Sequence, residues 1–470
     1  MRVALAKPPA TYADWYRRPV LGLAYLAGYL KARGFDVAIF DAYYHGWSED
    51  DLVARIKAFK PDVVGFSAMT HEIKRAAEIA ARLKSDLGVP AVVGGCHLTA
   101  LPAETLEEFP VFDYGVYGEA EKTFCDLARC LADGEASRAA SLKGLVLRQG
   151  GRVMVTEPAP VLTAEEIDAM PLPDFGDYYG DDPRALAGKD GCYVLMTSRG
   201  CPYRCAFCMQ VLGRKVRRRS AESVCREMEQ AIERHGAHTF DFYDDILLHD
   251  CKESRDLLNL MIERGLPERA RWCGLTRADI VRPDLLALAK RAGCFRLGLG
   301  VESGDDAVLK AIGKGITVDE VRRAVRAIKD AGIAVDAYFI LGHPNETRET
   351  VKRTIDLAVE LDTDMIAVGL MVPYPGTKIF DLANRGDCGY RLLTRDWSQY
   401  DKYGGRVLEV SGLPYREMEK LQMRALVSFY VKNLKVRAAI GYFWRRRRAV
   451  RFLVAKRIGR LLGGGKARGA

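Results

Sequence analysis

The sequence has no uncharged apolar run that approaches the roughly 18 to 20 residues needed to span a bilayer, so it predicts no transmembrane helix. It has no internal repeat of the solenoid type, and no secretory signal precedes its first strand-like run. Its 12 cysteines are scattered apart from one central trio, which is not the pattern of a disulfide framework. These absences indicate a globular, reduced, cytoplasmic protein.

Acidic residues are absent from residues 421–470, which carry 14 Lys and Arg. The whole chain has 71 Lys and Arg against 62 Asp and Glu, so the part before this tail is mildly acidic. A basic segment that also contains Phe443, Trp444 and an aliphatic stripe is typical of contact with an anionic membrane surface. A solvated tail and nucleic-acid contact are the alternatives. Since no RNA-binding module is recognisable, we expect no nucleic-acid partner, and we expect peripheral contact at the inner membrane face.

Two series of β/α units organise the chain. Residues 1–145 alternate short apolar runs with amphipathic stretches, which predicts a Rossmann-like α/β domain that binds ligands at the carboxyl ends of parallel strands. Residues 146–190 predict a linker with a hairpin, rich in turn residues. Residues 191–390 contain six further β/α units, which predict a partial (β/α)6 TIM-like barrel. Residues 391–470 predict a helical, basic C-terminal region.

The cysteine trio has the spacing C-x3-C-x2-C and consists of Cys201, Cys205 and Cys208, in the loop after the first barrel strand. Barrels place their chemistry at this end of the strands. Thiolates are soft ligands that suit zinc or iron–sulfur clusters, and no further Cys or His pair lies close by in sequence to complete a zinc site. Three ligands would leave one iron of a four-iron cluster open for a ligand. A distorted zinc site or three structural cysteines are the alternatives.

This pattern, with an aromatic residue before the last cysteine, resembles the radical S-adenosylmethionine superfamily. The resemblance implies a 4Fe–4S cluster whose open iron binds S-adenosylmethionine and cleaves it to a 5'-deoxyadenosyl radical. It implies that Arg277 pairs with the methionyl carboxylate and that Glu302 and Ser303 face the nucleoside, while two aspartates replace the superfamily's Gly-Gly-Glu. The implied S-adenosylmethionine-binding residues are Phe207, Asp244, Asp245, Arg277, Glu302, Ser303, Gly342, Pro375 and Gly376.

Three motifs of the first domain, PDVVGFSAMT, VVGGCHLTALPAE and VYGEAEKTF, resemble the cobalamin-binding domain that precedes the barrel in one subgroup of this superfamily. The family's D-x-H-x-x-G motif is absent, because Lys7-Pro8-Pro9 follows the first strand. We therefore expect cobalt without an imidazole beneath it, although His71 and His97 lie at sheet-edge loops. The resemblance implies that the cobalamin slot is lined by Ser67, Thr70, Gly94, Gly95, Thr99, Gly118 and Glu119.

Together these resemblances imply an enzyme that uses a 4Fe–4S cluster, S-adenosylmethionine and cobalamin. The expected reaction is methylation of an unactivated carbon, or of phosphorus, in a small-molecule or lipid-like substrate, with an external electron donor such as flavodoxin or ferredoxin. Oxidative cyclisation or ring rearrangement of a tetrapyrrole or lipid is the alternative, and a non-catalytic cobalamin or redox sensor is the alternative from another class. A tRNA methylthiotransferase is disfavoured, because Cys96, Cys125 and Cys130 lack the spacing for a second cluster.

Overall fold

The computed structural model describes residues 1–9, 17–180, 182–188, 191–401 and 405–435. The predictions for the basic tail beyond residue 435, including its four consecutive arginines with Phe443 and Trp444, lie outside the described residues. Among the helices of the described ranges, none is long and apolar enough to cross a membrane.

The first sheet contains seven strands: β1 (Arg2–Lys7), β2 (Asp36–Asp41), β3 (Val63–Ser67), β4 (Ala91–Gly94), β5 (Tyr114–Val116), β6 (Leu145–Gln149) and β7 (Arg152–Val155). Their order is β2-β1-β3-β4-β5-β6-β7, and neighbours from β2 to β5 are parallel. Five of the six residues of β1 are buried, as in a central strand covered on both faces. The predicted hairpin is present as β6 and β7, and it extends this sheet with antiparallel pairing.

Helices cover both faces of this sheet. Within the described residues up to 180 they are α1 (Leu21–Lys31), α2 (Ala42–His45), α3 (Glu49–Phe59), α4 (Ile73–Leu87), α5 (Cys96–Ala100), α6 (Pro102–Glu108), α7 (Ala120–Ala132), α8 (Ala164–Asp168) and α9 (Gly176–Tyr179). Local sequence fixes several ends: Ser48 and Asp51 form a capping box before α3, and Gly88 takes a left-handed conformation after α4. The first domain is therefore the predicted α/β layer structure.

The remaining strands are β8 (Tyr193–Leu195), β9 (Ser198–Arg199), β10 (Arg217–Arg218), β11 (Thr239–Phe242), β12 (Arg271–Thr276), β13 (Cys294–Glu302), β14 (Ala334–Leu341), β15 (Met365–Leu370), β16 (Tyr390–Leu392) and β17 (Leu408–Val410). Six of them form a parallel sheet in the order β15-β14-β13-β12-β11-β8. Because the six parallel strands follow one another in sequence order and are joined by helices, the sheet is the predicted partial barrel. The predicted α/β fold class is confirmed.

The helices of the second half are α10 (Ala221–His235), α11 (Lys252–Glu263), α12 (Leu266–Arg269), α13 (Pro283–Arg291), α14 (Asp306–Ala311), α15 (Val318–Asp330), α16 (Arg348–Leu361), α17 (Lys378–Arg385) and α18 (Tyr415–Lys432). One hydrophobic core joins the two halves, since Leu26 of α1, Tyr178 of α9, Tyr193 of β8 and Phe240 of β11 belong to the same buried cluster. The two sheets are thus packed together through the connecting segment.

The C-terminal part returns to the first domain. The predicted helical character is seen in α18, and an antiparallel ribbon of β16 and β17 precedes that helix. In the connection between these two strands, Trp397 donates from Nε1 to Glu108 Oε2 at 2.7 Å, and Lys74 Nζ lies 2.7 Å from Asp396 Oδ1. The first domain therefore contacts the chain both before and after the barrel.

Candidate functional site

The cysteine loop occupies residues 200–216, between β9 and β10. These two short strands pair antiparallel, with Arg199 opposite Arg217, so they form a stem below the loop. Cys201 and Cys205 are half-buried and Cys208 is exposed. The stem begins directly after β8, so the three thiols lie at the carboxyl end of the first barrel strand, where the sequence predicts them.

The three thiols are close enough to affect each other's ionisation. Burial, then the Asp245 carboxylate and the Cys205 thiol, raise the pKa of Cys201. Although Cys208 is exposed at the loop surface, withdrawal of its thiol from water, with Asp245 and the other two cysteines, raises its pKa to about 12. Bound iron would reverse these shifts, because metal ions hold cysteine as thiolate.

The donor set of this loop therefore fits a cluster. It offers three soft thiols from one short segment, which is the ligand type that iron–sulfur clusters take. Within the described ranges, no group of three or more His, Cys, Asp or Glu side chains is arranged to hold a single metal ion.

Arg277 lies against this loop at the end of β12. Its Nη1 is 3.9 Å from Cys205 Sγ, and its guanidinium stacks 3.5 Å from the centre of the Tyr203 ring. Asp279 accepts from its Nε at 3.0 Å, and the Lys314 carbonyl accepts from its Nη2 at 2.6 Å. The structure thus places the predicted carboxylate-binding arginine beside the cluster thiols, in a fixed orientation.

Glu302 ends β13 next to the same loop. Its φ of +70° is rare for a residue with a side chain, and the pairing of β13 with β14 is irregular there. Its carboxylate accepts a hydrogen bond from Lys314 Nζ at 2.7 Å, and both side chains are buried. Lys314 also lies 5.9 Å from the centre of the Phe207 ring. The Glu302–Lys314 ion pair therefore forms one wall beside the cysteine loop.

The two predicted aspartates occupy different environments. Asp244 is buried and accepts from Thr197 N at 2.9 Å, Thr197 Oγ1 at 2.7 Å and Ser198 Oγ at 2.6 Å. It therefore anchors the strand from which the stem emerges. Asp245 is exposed, and its pKa is raised by withdrawal from water and by Asp244. Of the two aspartates, Asp245 is the one whose charge raises the pKa of Cys201 and Cys208.

The remaining predicted S-adenosylmethionine residues lie at the later strand ends. The Ser303 hydroxyl is fully buried, lies 3.3 Å from Thr354 Oγ1 and accepts from the Asp305 amide at 3.3 Å, so these polar contacts are internal to the protein. Gly342 has φ +99°, which favours glycine, and follows β14. Pro375 and Gly376 follow β15, and a Cβ on Gly376 would lie 3.1 Å from Ala100 Cβ of the first domain. These positions remain predictions as ligand contacts.

The predicted cobalamin region is a cavity of about 810 Å³ at the carboxyl ends of β1, β3, β4 and β5. Its walls are mostly apolar, and they include Met196, Arg199 and Tyr243 from the barrel. Gly118 has φ +78°, and a Cβ there would meet no atom within 4 Å. A wall of this kind admits a large flat ligand, so the residues present fit a corrin.

Five of the seven predicted cobalamin residues line this cavity: Ser67, Gly94, Gly95, Gly118 and Glu119. Thr70 is buried, with no hydrogen-bond partner for its hydroxyl among the described residues. Thr99 donates to Gly95 O at 2.9 Å and accepts from Gly118 N at 3.1 Å. Thr99 therefore shapes the glycine loops of the slot.

Lys7 occupies the position where the family's histidine motif would begin. Its ammonium pairs with the buried Glu72 carboxylate, and both residues line the cavity. No histidine lines the described part of this cavity. His71 and His97 are both buried, and burial lowers the pKa of His97 to about 4.

The sequence predicts Glu119 as a cobalamin contact, but it does not predict Arg199, Arg217 and Glu121, which join the two domains together with Glu119. Arg199 forms ion pairs with both Glu119 and Glu121, and Arg217 forms an ion pair with Glu119. Arg199, Arg217 and Glu121 are buried. The signal available in the sequence was the pair of arginines that brackets the cysteine loop, since buried arginines require carboxylate partners.

Comparisons with known proteins agree with this geometry. The family model described as "Radical SAM superfamily" matches residues 195–358, and the one described as "B12 binding domain" matches residues 16–128. The first covers the barrel from β8 into α16, and the second covers β2 to β5, with the ends of β3, β4 and β5 that line the cavity.

Two curated relatives match over most of the chain. The "Uncharacterized methyltransferase PH0819" of Pyrococcus horikoshii is 32% identical over 443 residues, which cover 92% of this chain and 93% of the relative. The "Anaerobic magnesium-protoporphyrin IX monomethyl ester cyclase" of Cereibacter sphaeroides is 29% identical over 437 residues, which cover 91% of this chain and 69% of the relative. The identity to the first is high enough, over enough of both chains, to show common family membership.

A solved structure has the same fold. The radical S-adenosylmethionine methyltransferase TsrM from Kitasatospora setae, with tryptophan substrate and a SAM analogue bound, matches with a TM-score of 0.73 and 21% identity. The match covers 90% of this chain and 89% of that one.

A cysteine loop at the first strand end of a six-stranded β/α barrel, preceded by an α/β domain with a strand-end cavity, defines a radical S-adenosylmethionine enzyme with a B12-binding domain. The chain belongs to the cobalamin-dependent radical S-adenosylmethionine enzyme family, in which methyltransferases are found. Its cofactors are a 4Fe–4S cluster, S-adenosylmethionine and cobalamin.

Proposed function

We propose that this enzyme transfers a methyl group to an unactivated carbon, or to phosphorus, of a small-molecule or lipid-like substrate. The observation that carries the proposal is the shared cavity. Ser67 and Gly94 of the first domain line the same space as Met196 and Tyr243 of the barrel, close to the stem of the cysteine loop. The cobalamin region is therefore continuous with the barrel at the stem of the cysteine loop, which is where the proposed substrate would meet both cofactors.

The protein's own side chains bind and orient the cofactors. Cys201, Cys205 and Cys208 would hold the cluster, and Arg277, placed at Cys205, would face the carboxylate of S-adenosylmethionine. Gly342, Pro375 and Gly376 would let the backbone approach the nucleoside. When bound, the cofactors supply a 5'-deoxyadenosyl radical and a transferable methyl group, while the protein supplies orientation and a cavity with few polar groups.

Electrons must reach the cluster from outside the protein. Cys208 is the exposed member of the trio, so the loop surface around it is the accessible side of the cluster. We propose that a small redox protein such as flavodoxin or ferredoxin docks at this surface.

The alternative reaction is oxidative cyclisation or ring rearrangement of a tetrapyrrole or lipid. It is favoured by the relative named as a cyclase, which is 29% identical to this chain. S-adenosylmethionine labelled on its methyl group separates the two reactions, because only a methyltransferase passes the label to the product. The assay combines the reduced holoenzyme with small-molecule and lipid extracts of the producing cells. Labelled product is expected, whereas 5'-deoxyadenosine with an unlabelled, dehydrogenated product would establish the cyclase, and no 5'-deoxyadenosine at all would favour a sensor.

Peripheral membrane contact is a further part of this proposal. Met423, Val427 and Val431 lie on one face at the end of α18, with exposed fractions of 52%, 46% and 64%. Large apolar side chains at spacings of four residues form one stripe on a helix. Leu434, which follows the end of the helix, is 85% exposed. The stripe leads directly into residues 436–470, which contain 11 Lys and Arg and no Asp or Glu. Apolar insertion next to cations is the pattern of a helix that lies on an anionic lipid surface.

A further inference from the structure

The stem of the cysteine loop has an unusual composition. Arg199 and Arg217 lie directly opposite each other in the β9–β10 pair, and both are buried. Like charges at opposed positions of an antiparallel pair repel, and burial in a medium of low polarity strengthens the repulsion. The stem can therefore close only if another group supplies negative charge between the two guanidinium groups.

Glu119 of the first domain supplies this charge. Its Oε1 lies 3.2 Å from Arg199 Nη1 and 2.9 Å from Arg217 Nη1, and its Oε2 lies 2.8 Å from Arg217 Nη1. The Leu162 amide also donates to Oε2 at 2.7 Å. Glu121, two residues further on, accepts from Arg199 Nη2 at 2.6 Å. Two carboxylates of the first domain thus hold both ends of the loop that carries the cysteines.

The same side chains form part of the cavity wall. Glu119, Glu121 and Arg199 line the 810 Å³ cavity, together with Tyr25, whose ring centre lies 5.2 Å from the Arg199 guanidinium carbon. Cys201 is only two residues beyond Arg199. A ligand that fixes the side chains of this wall must therefore also fix the stem. In the same way, a cluster bound by the cysteine loop must fix the side chains of the wall.

We propose that Glu119 is a positioning residue that holds the cysteine loop against the first domain, so that cluster loading and cobalamin binding strengthen each other. The proposal rests on the cofactors of the proposed function. It replaces the role implied by sequence resemblance, a direct cobalamin contact, because Arg199, Arg217 and the Leu162 amide already engage both carboxylate oxygens. By linkage, the factor by which the cluster improves cobalamin affinity equals the factor by which cobalamin improves retention of the cluster.

The test compares Glu119→Gln with the wild-type protein. Glutamine keeps the size of the side chain and removes the charge, which leaves the two stem arginines facing each other. Hydroxocobalamin affinity is measured by its absorption change, for the protein without and with a reconstituted cluster. We expect the wild type to bind hydroxocobalamin about tenfold more tightly with the cluster present, a typical coupling, and Glu119→Gln to bind it equally in both states. The electron paramagnetic resonance spectrum of the reduced cluster should broaden in the variant.

Asp336→Asn is the matched control. Asp336 is buried and pairs with Arg296 of the neighbouring strand β13, and neither residue lines the cavity. This variant should lose stability while the affinity ratio and the spectrum of the cluster stay as in the wild type. Arg217→Lys is the second variant if Glu119→Gln does not fold. Lysine keeps the positive charge but cannot reproduce the hydrogen bonds of the guanidinium group to Glu119. The ratio of hydroxocobalamin affinities with and without the cluster should therefore fall below that of the wild type.

The outcomes distinguish the proposal from its alternatives. The proposal would be overturned if Glu119→Gln had the same affinity ratio and the same cluster spectrum as the wild type. The same holds for Arg217→Lys if that variant is used. An equal loss of hydroxocobalamin affinity with and without the cluster, at an unchanged ratio, would also overturn it and would make Glu119 a direct contact. If the wild type binds no hydroxocobalamin, the proposed function fails. The positioning role is then decided by the cluster spectrum, which should still broaden in Glu119→Gln and not in Asp336→Asn.

Discussion

The Nη1 atom of Arg277 lies 3.9 Å from the Sγ atom of Cys205, so a fixed cation from one barrel strand faces the middle cysteine of a loop that follows another. Asp279 and the Lys314 carbonyl hold this guanidinium in place. The structure thus places a fixed cation beside the thiols that would hold the cluster.

The first prediction concerns the cluster ligands. Cys205→Ala removes one of three thiolates, so the reconstituted protein should lose most of its roughly four irons and all cleavage of S-adenosylmethionine. Iron analysis and 5'-deoxyadenosine production measure the two effects. Cys251→Ala is the control, because Cys251 is similarly half-buried but contacts Ser254 away from the loop. Full iron content in Cys205→Ala would refute the ligand assignment.

The second prediction concerns the wall of the cavity. Gly118→Ala places a methyl group where no atom lies within 4 Å, and Gly118 lines the cavity, so cobalamin affinity should fall about tenfold. Gly134→Ala is a matched control, since Gly134 also has a positive φ and open space around it but lies at the exposed end of α7. Both variants carry the strain of a left-handed alanine, about 1 kcal/mol, so equal cobalamin affinities in the two would contradict this placement.

The third prediction concerns the lower face of cobalamin. Because no histidine lines the described cavity, bound Co(II) should show no nitrogen superhyperfine splitting from a protein imidazole in its electron paramagnetic resonance spectrum. A nitrogen triplet that disappears in His71→Ala or His97→Ala would show that one of these buried rings becomes a ligand.

The fourth prediction concerns a buried carboxyl after β14. Burial, with a contribution from Asp305, raises the pKa of Glu346 from 4.5 to about 7. The folded protein therefore holds this proton more tightly than the unfolded chain does, and the stability gained is complete below about pH 4.5 and lost as the pH rises through 7. The side chain in Glu346→Gln cannot ionise. The free energy of unfolding of this variant, relative to that of the wild type, should therefore rise by up to about 3 kcal/mol between pH 4.5 and 8.

Urea unfolding at several pH values measures this difference. Glu104→Gln changes an exposed glutamate on α6 and serves as the control. The difference between its free energy of unfolding and that of the wild type should stay constant over the same pH range. A constant difference for Glu346→Gln as well would show that the carboxyl ionises as freely in the folded protein as in the unfolded chain.

The fifth prediction concerns α18 and the basic tail. The full chain should float with vesicles of phosphatidylcholine and phosphatidylglycerol, and binding should weaken with salt, since the Debye length falls from about 10 Å at 0.1 M to about 3 Å at 1 M. Val427→Ser with Val431→Ser should reduce binding several-fold, because the stripe loses its apolar area. Truncation after Lys435 should remove most of the salt-sensitive part of vesicle binding, because it removes the basic residues of the tail.

The matched control for this experiment is Val155→Ser with Val161→Ser, which alters two exposed valines elsewhere on the surface. It should leave flotation unchanged. A full-length chain that ignores anionic vesicles at low salt would exclude the membrane contact, and cleavage of S-adenosylmethionine should persist in every variant of this series.

The sequence predicts the strands and the cysteine loop well because their signals are local. Short apolar runs identify β1 to β5 and the six barrel strands, and the spacing of Cys201, Cys205 and Cys208 identifies the loop. The partners of Glu119 could not be predicted, because Arg199 and Arg217 lie 80 and 98 residues away along the chain. Only the folded pairing of β9 with β10 brings two cations together and so creates the need for that carboxylate.

The same limit explains the C-terminal ribbon. Residues 390–410 show no strong period, and β16 and β17 have only three residues each, so tertiary contacts decide their structure. Trp397 is an example, since its ring is stabilised by Glu108 and His97 of the first domain.

Trp397 and Asp396 attach the segment after the barrel to the first domain. The chain leaves the first domain, builds the barrel and then returns to contact α6 and α4. The first domain is therefore connected to the rest of the chain by the linker on one side and by these contacts on the other. A rotation of the first domain about the linker alone would have to break both contacts, so the relative position of the two β/α halves is restrained at two points of the sequence.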